Sequence, residues 1–434
     1  MFGIFSSPAR KMRENARNWL ELADKVYHYR RDVLTGAQVG ELQAQAAGLR
    51  QLLKERAEPM KLKLGIEALE HALRKTGGTH YPKSSLTENV EFFLVAAIVI
   101  LGFRTYFVQP FKIPTNSMWP SYYGMTAENL PPDTVAPGPV ARAFRFLAFG
   151  AQRRDFVAPQ AGEVAADFFE SGAMAYTVKT GRHWLILPAQ VREYTFYVDG
   201  APVSLTVPED FHDFDRVVQE TFFKDRSGFA AYLQKLGRSG GLNARSIVSV
   251  NGAGETARVV RVPLGRTVRA GESVLRFDIL TGDQLFVDRM SYHFVRPSVG
   301  QGFVFRTGQI HSEFMQDRQG RQLEQYYIKR LVGLPGDTLE IKNYTLYRNG
   351  QPITGAAAFA KNARQADQYV GYRNELGLAA GRTMTVPPDS FLALGDNSAN
   401  SQDGRYWGYV PAKEAVGRPL FIYYPFTRRW GPSR

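Results

Sequence analysis

The chain contains no cysteine among its 434 residues. Disulfide bonds, thiolate metal sites and a cysteine nucleophile are therefore excluded. Histidine is also scarce, with seven residues, and none of them belongs to a catalytic motif that includes an acidic residue to orient its ring. A Ser-His-Asp triad is therefore not supported. Together these absences remove several classes of enzyme and leave no expected metal or cofactor.

Acidic residues are fewer than basic ones: the chain has 41 Asp and Glu and 54 Lys and Arg, which gives a formal net charge of +13. This balance suits either a nucleic acid or an anionic membrane surface. The sequence lacks an RNA-binding aromatic signature, zinc-finger spacing and a concentrated basic helix. We therefore expect membrane lipid as a partner and no nucleic acid.

The most apolar run of the chain is Phe92–Phe103, which is shorter than the roughly 20 residues that span a bilayer. By length alone it would be a buried helix. Extension to 90–108 adds only Glu91 and Arg104 as charges, and aromatic residues cluster at both ends, as in an interfacial belt. We predict a transmembrane helix over 89–109, with the N-terminus inside because more basic residues precede the run.

The region before this run, residues 1–88, has apolar residues at helical spacing. We predict two or three amphipathic helices, interrupted at Gly36, Gly40 and Pro59. The pattern fits either a solvated helical hairpin or a coiled coil that binds a partner.

Residues 125–278 have a different character, with short strand patterns separated by glycine turns. Asp199-Gly200 predicts a hairpin turn, and a helical patch spans Phe214–Leu236. We predict a β-rich α+β domain whose role the sequence does not reveal.

Two kinds of feature in this β-rich region are weaker signals. The apolar segment Ala143–Phe149, with Arg142 and Arg145, has the composition of a helix on a membrane surface. His183, His212 and Asp213 are interpreted as ordinary surface or core groups.

From Thr281 to the end the chain is rich in strand patterns, and Asn349-Gly350 closes a hairpin. Helical periodicity is sparse there. We expect a mainly β domain of mixed or antiparallel sheets, packed as a barrel or a sandwich.

Ser117 lies in the segment F-K-I-P-T-N-S-M-W-P, immediately after the apolar run. Pro114 and Pro120 bracket it and favour extended geometry in the residues that precede them. A serine hydroxyl is a weak nucleophile unless the fold supplies a base and a site for the oxyanion. A histidine, a lysine or a carboxylate could supply the base.

Lys329 is a candidate base, because it lies in the apolar strand pattern Y-Y-I-K-R-L-V-G-L-P-G-D. Burial would lower its pKa and leave a neutral amine, whereas an edge strand would expose it to water. A third motif, Leu394–Gly408, is dense in Asp, Asn, Ser and Gly. It does not fit a calcium loop, because its sixth and twelfth positions from Asp396 are Ser401 and Trp407. It fits a rigid, self-bonded turn instead.

Five features follow one another along the chain: the membrane span, P-T-N-S-M-W-P, T-G-D-Q-L-F-V-D, Y-I-K-R-L-V-G-L-P-G-D and G-D-N-S-A-N-S-Q-D-G-R-Y-W-G. Their sequence and order resemble those of bacterial type I signal peptidases. The resemblance covers residues 92–124 and 279–424. It implies a catalytic domain formed by 110–124 and 279–434, into which 125–278 is inserted. Insertion after Gly124 would bring that domain close to the substrate groove.

The resemblance also implies roles for single residues. Ser117 is the expected nucleophile and Lys329 the general base, with the Thr115 hydroxyl and the Ser117 backbone N–H forming the oxyanion hole. The remaining matches support the site: Ser401 holds the lysine amine, Asp403 and Arg405 brace the site, Met118 and Pro120 follow the nucleophile, and Asp396 and Asn397 belong to the loop. Ser121 and Gly404 depart from the family's usual threonine and serine.

The activity implied is removal of signal peptides from exported preproteins with small residues at positions −1 and −3 relative to the cut. The expected location is the bacterial plasma membrane, with the catalytic domain outside the cytoplasm and the translocation machinery as a possible partner. Two alternatives stay open: a Ser-Lys peptidase with a narrower substrate or acting on itself, and an inactive membrane-anchored scaffold.

Overall fold

The computed structural model divides into two units, residues 1–101 and 102–434, which are described separately. The described residues are 8–83, 85–130, 137–169, 171–183, 187–224, 226–238, 244–249, 256–317 and 320–433.

Three helices form the first part of the smaller unit: α1 (Pro8–Arg30), α2 (Gly36–Lys54) and α3 (Pro59–Thr76). Their apolar faces share one core, in which Val26, Leu42 and Leu73 are buried. Thr35 caps α2 through a reciprocal capping box with Gln38. Gly40 lies inside α2 and does not interrupt it, because a single glycine costs a helix only about 1 kcal/mol. The structure thus has three helices rather than a two-helix hairpin.

Within the described residues, one helix is long and apolar enough to cross a membrane, α4 (Ser85–Tyr106). None of its residues is buried. It begins four residues earlier than the predicted span, 89–109, and ends three residues earlier. The helix stops there because Val108 enters a strand whose backbone groups pair with residues 284–288.

The larger unit contains both helices and strands. Its helices are α5 (Pro139–Phe149), α6 (Phe214–Phe223), α7 (Arg226–Arg238), α8 (Ala357–Ala363) and α9 (Gly404–Trp407). Its strands are β1 (Val108–Lys112), β2 (Thr126–Asn129), β3 (Gln152–Val157), β4 (Gly162–Phe169), β5 (Tyr176–His183), β6 (Leu187–Val198), β7 (Ala201–Pro208), β8 (Ala244–Ser249), β9 (Thr256–Val268), β10 (Ser273–Leu280), β11 (Gln284–Asp288), β12 (Gly302–Arg306), β13 (Tyr326–Gly333), β14 (Thr338–Lys342), β15 (Thr345–Arg348), β16 (Gln351–Pro352), β17 (Met384–Thr385), β18 (Ser390–Leu394), β19 (Val410–Pro411), β20 (Ala415–Tyr424) and β21 (Gly431–Pro432).

Strands β2 to β10 build two antiparallel sheets. One has the order β2-β10-β3, and the other has the order β5-β6-β4-β9-β8 with β7 added to β6. Asp199 and Gly200 both have positive φ, 47° and 79°, as a tight hairpin turn requires. The two sheets and α6 share one core that includes Met125 and Ile279. The packed region therefore reaches slightly beyond the predicted boundary at 278.

The other strands form an eight-stranded sheet of order β1-β11-β20-β12-β13-β18-β19, with β21 on β20, and a four-stranded sheet of order β16-β15-β14-β17. Every pairing is antiparallel, which decides between the two predicted sheet types. The hairpin predicted at Asn349-Gly350 is confirmed, with φ values of 52° and 77°. Val332 of the large sheet and Leu339 of the small one lie in a shared core.

The chain leaves and re-enters the eight-stranded sheet at one place. The Ile113 N–H donates to the Asp283 carbonyl at 2.9 Å, and the Asp283 N–H donates to the Tyr123 carbonyl at 2.8 Å. Gly282 allows this approach, because a Cβ there would lie 1.9 Å from the Ile113 carbonyl oxygen. The segment that carries Ser117 is thus joined to the strand that follows β10.

Candidate active site

Ser117 lies in a single turn of 3₁₀ helix, Asn116–Met118, between extended residues. Thr115 and Trp119 have ψ values of 157° and 143°. The extended geometry of Trp119 is the one that Pro120, which follows it, predicts. The serine itself is turned, not extended, because the Trp119 N–H donates to the Asn116 carbonyl at 3.1 Å. The turn is anchored by Met118, which is fully buried in the core beneath it.

Lys329 lies on β13 and is 4 % exposed. Its Nζ is 2.6 Å from Ser117 Oγ, across 212 residues of sequence. Burial lowers the pKa of Lys329 from 10.5 to about 8. The Asp403 carboxylate opposes this shift, whereas the Arg405 guanidinium adds to it. A pKa near 8 leaves roughly a tenth of the amine neutral at neutral pH, which is the form that accepts a proton.

The loop after β18 holds the Ser117 turn in place. The Asn397 N–H donates to the Ser117 carbonyl at 3.1 Å, and Asn397 Nδ2 donates to the Asn116 carbonyl at 3.0 Å. Asn397 was expected to serve only its own loop. Its contacts join the two segments that the sequence separates by about 280 residues.

Asp403 and Arg405 form a fully buried ion pair beside this loop. Arg405 Nε is 2.8 Å from Asp403 Oδ1, and Asp403 Oδ2 also accepts from the Gly395 N–H at 2.9 Å. The Arg405 guanidinium further donates to the Ser398 and Ser401 carbonyls at 2.7 and 3.0 Å. Since buried charges are stable only when their hydrogen bonds are met, this network fixes the backbone of the loop.

The Ser401 side chain is placed differently from expectation. Its Oγ is buried and makes no hydrogen bond to any described residue, so the expected bond to the Lys329 amine is not formed here. Ser401 Oγ instead lies against Gly395, where a Cβ would be 2.1 Å from it and 2.5 Å from the Ser117 carbonyl oxygen. Glycine is therefore the only residue type that fits at position 395, between Ser117 and Ser401.

Gly395→Ala is expected to lower kcat by about a hundredfold, because the added methyl group must displace the Ser117 backbone and misplacement of a reacting group by about 1 Å costs that much. Gly48→Ala is the matched control, since a Cβ at Gly48 meets open space. Steady-state kinetics of both variants on one substrate make the comparison. An unchanged kcat in Gly395→Ala would contradict the tight packing described above.

Arg330 is a functional neighbour that sequence reasoning missed. It follows Lys329 on β13, points to the opposite face and is 2 % exposed. Its Nε is 2.7 Å from Asp396 Oδ1, and its guanidinium also donates to Ser121 Oγ at 3.1 Å. Asp396 therefore links its loop to the strand of the lysine. The sequence signal that could have identified Arg330 is the pair of adjacent basic residues, Lys329 and Arg330, within an apolar strand pattern.

Thr115 and Pro120 flank the serine on either side of the turn. Thr115 is exposed and lines the groove that contains Ser117 and Lys329. Pro120 follows Trp119 through a cis peptide bond.

The groove over the dyad has a volume of about 580 Å³. Residues 111–115 of the nucleophile segment and residues 325–329, at the start of β13, form two of its walls. The β-rich region of residues 125–278 supplies a further wall through Arg192, Glu209, Asp210 and His212. Asp210 Oδ2 is 3.0 Å from the Nζ of Lys112, which ties this wall to β1. His212, interpreted from sequence as an ordinary surface or core group, therefore lines the groove.

An antiparallel β domain that holds a serine hydroxyl against a buried lysine amine has the makeup of a serine hydrolase in which lysine replaces histidine. The family described as "Signal peptidase, peptidase S26" matches residues 254–424. Ser117 lies outside that match, on the N-terminal side of it.

Individual proteins give the same result. The chain is 36% identical over 150 residues to "Probable signal peptidase I-1" of Synechocystis, covering 35% of this chain and 66% of that one. It is 31% identical over 148 residues to "Signal peptidase I" of Bacillus caldolyticus, covering 34% of this chain and 73% of that one. This chain belongs to the signal peptidase I family.

The chain spans 66% and 62% of the lengths of the Synechocystis protein and of "Signal peptidase I" from Leptolyngbya laminosa. A crystal structure of a signal peptidase I from Enterococcus faecalis matches 29% of this chain and 97% of its own, at 28% identity and a TM-score of 0.22.

The pH dependence of kcat/KM should follow the fraction of Lys329 whose amine is neutral. Its pKa is lowered by burial to about 8, so the neutral base gains tenfold per pH unit below that value and saturates above it. We expect kcat/KM to rise with unit slope from about pH 6 and to level off above about pH 8. A profile that is flat across this range would argue against a lysine base.

Proposed function

We propose that this protein is a membrane-bound serine endopeptidase that removes N-terminal signal peptides from exported preproteins. The observation that carries the proposal is the 2.6 Å distance between Lys329 Nζ and Ser117 Oγ in a site where the lysine is buried. Family membership supplies the substrate class. A scaffold without activity would have no need to keep a buried lysine whose pKa is lowered by desolvation.

In the proposed reaction, neutral Lys329 takes the proton of Ser117 Oγ, which attacks the scissile carbonyl carbon. The Thr115 hydroxyl and the Ser117 N–H are assigned to the oxyanion. The protonated lysine then gives its proton to the leaving amine of the mature protein. Water attacks the remaining ester with the lysine again as base, which releases the signal peptide and restores Ser117.

The substrate is proposed to bind as an extended strand between residues 111–115 and 325–329 of the groove. Small residues at positions −1 and −3 would face the site. The inserted region, 125–278 in our division, adds charged and polar residues to the groove, among them Arg192 and His212. This wall favours a second candidate, a peptidase with a narrower set of preproteins than the family's usual range.

The deciding experiment incubates the full chain in detergent with several preproteins and determines the N-terminus of each product. Cleavage after a small residue at the end of the signal peptide supports the proposal, and cleavage of only a few preproteins supports the narrower range. The Ser117→Ala variant is the control for contaminating peptidases. Products that are the same with Ser117→Ala, or cuts within mature sequences, would overturn the proposal.

The proposed location is the bacterial plasma membrane, with α4 as the span, residues 1–88 inside and the catalytic domain, 110–124 with 279–434, outside. The length and apolar character of α4 support this arrangement. Protease treatment of intact spheroplasts should digest the larger unit and spare the helices α1 to α3. Digestion of α1 to α3 instead would reverse the orientation. The translocation machinery is the protein partner that this location suggests.

A further inference from the structure

Helix α5 presents an apolar face that the fold leaves uncovered. Val140, Phe144 and Leu147 are 85%, 63% and 70% exposed, and no residue of the helix is buried. Their spacing of four and three residues places them on one side of the helix. Isolated exposed apolar residues are normal, but a row of three along one helix is typical of a surface that meets a partner.

A cavity of about 470 Å³ lies beside this helix, and its lining is rich in guanidinium groups. Four arginines line it, Arg142 and Arg145 from α5 and Arg153 and Arg154 from β3, whereas Asp278 is the single carboxylate in the lining. The cavity is therefore strongly positive.

Two of these arginines are already neutralised. Asp278 accepts from Arg145 Nε at 3.0 Å and from the guanidinium of Arg153 at 3.2 Å. Arg145 also donates to Glu128 at 2.6 Å. Asp278 is itself buried, so this part of the cavity is a fixed, preorganised wall.

The other two arginines have no carboxylate partner among the described residues. Arg154 donates to the Thr206 carbonyl at 3.0 Å, to its neighbour's carbonyl and to an amide oxygen. Burial lowers the pKa of Arg154, and no nearby anion offsets the effect. The exposed guanidinium of Arg142 has no hydrogen bond or ion pair within the described part of the chain. A partly buried, unpaired guanidinium is stabilised by an anion.

We propose that α5 lies on the membrane surface and that the arginine cavity binds the phosphate of an anionic phospholipid. Arginine forks match phosphate oxygens in pairs, and the apolar face of α5 would lie at the boundary of headgroups and acyl chains. On α5 the two arginines lie on the side away from the apolar row, as in a helix that rests on a membrane surface. Charge complementarity and this apolar row together select a lipid over a free anion, which would use the arginines alone. The candidate span α4 in the same chain supplies the membrane.

Native mass spectrometry of the full chain, released from detergent with added phosphatidylglycerol or phosphatidylcholine, tests the proposal without using catalysis. Phosphatidylglycerol adducts should dominate. Arg142→Gln and Arg154→Gln should each weaken them about fivefold, because each basic residue near an anionic surface contributes about that factor. Phe144→Ser should weaken them as well. Arg382→Gln, an exposed arginine outside the cavity, is the matched control.

Three results would overturn the proposal: equal binding of the two lipids, equal losses in Arg142→Gln and Arg382→Gln, or unchanged binding in Phe144→Ser together with full displacement of the lipid by excess inorganic phosphate. The last result would identify a site for free phosphate. Because Arg142 is exposed, its variant is expected to fold normally, and thermal unfolding of each variant checks this point.

Discussion

Lys329→Met is expected to abolish cleavage and, at neutral pH, to stabilise the larger unit. The variant keeps a side chain of similar length but removes the only base that the described residues place within hydrogen-bond reach of Ser117 Oγ. Loss of a general base lowers kcat by at least about a thousandfold where it works together with the nucleophile. Cleavage kinetics of the purified variant measure this loss.

The gain in stability follows from the lowered pKa of Lys329. Its folded value of about 8 lies below the ordinary 10.5, so the unfolded chain binds more protons between these values and the stability of the wild type rises with pH across that window. Below about pH 8 the amine is charged in both states, and the full penalty of burying it applies. That penalty is about 3 kcal/mol, offset by about 1 kcal/mol for the lost hydrogen bond.

Thermal unfolding in detergent at two pH values distinguishes this effect from a general change in packing. Near pH 7 the Tm of Lys329→Met should exceed that of the wild type by about 5 °C, and near pH 10.5 the difference should nearly vanish. Lys413→Met, at an exposed lysine of the same unit, should change neither activity nor Tm. Retained cleavage, or a Tm difference independent of pH, would show that Lys329 is not a buried base of lowered pKa.

Much of this site could be predicted because its chemistry is carried by short motifs. Lys329 was identified as a candidate because burial in its apolar strand pattern would leave a neutral amine, and the resemblance to signal peptidases chose this interpretation over an exposed lysine on an edge strand. Asp199-Gly200 and Asn349-Gly350 were identified as hairpins because the left-handed conformation that such turns require favours these residues. In both cases the physical requirement acts on residues that are neighbours in sequence.

The contacts that sequence reasoning missed all depend on how distant segments pack. Arg330 and Asp396 are 66 residues apart, and nothing in either motif indicates that they pair. His212 lines the groove only because the segment after β7 reaches β1, where Asp210 meets Lys112 98 residues away. The exposed face of α5 was noticed as a composition, but the arginines of β3 beside it belong to a different element. Local pattern carries no information about such partners.

Removal of the Asp396 carboxylate is expected to be among the most destabilising changes to the larger unit. Asp396 is fully buried and Arg330 is 2 % exposed, so Asp396→Leu leaves a guanidinium without its counter-ion in the interior. Breaking a buried pair by removing one partner costs about 3 to 5 kcal/mol. Chemical denaturation of the full chain in detergent measures the change in free energy of unfolding.

The double variant Arg330→Met/Asp396→Leu distinguishes the effect of the two charges from the effect of the volume that their side chains fill. Well-packed apolar replacements of a buried ion pair are often neutral or stabilising, so the double variant should be more stable than either single variant. Lys179→Met, which breaks the exposed pair with Glu193, should cost less than about 1 kcal/mol. Additive losses in the double variant would show that the two charges do not depend on each other.

The cleavage activity of the same variants tests whether the Arg330–Asp396 ion pair helps to position the loop beside Ser117. Asp396 lies between Gly395, which contacts Ser117 and Ser401, and Asn397, whose N–H donates to the Ser117 carbonyl. If the pair holds this loop to β13, the stable double variant should fold yet cleave about a hundredfold more slowly, since apolar side chains fix the loop less closely. Wild-type kcat in the double variant would mean that Asp403 and Arg405 alone position the loop.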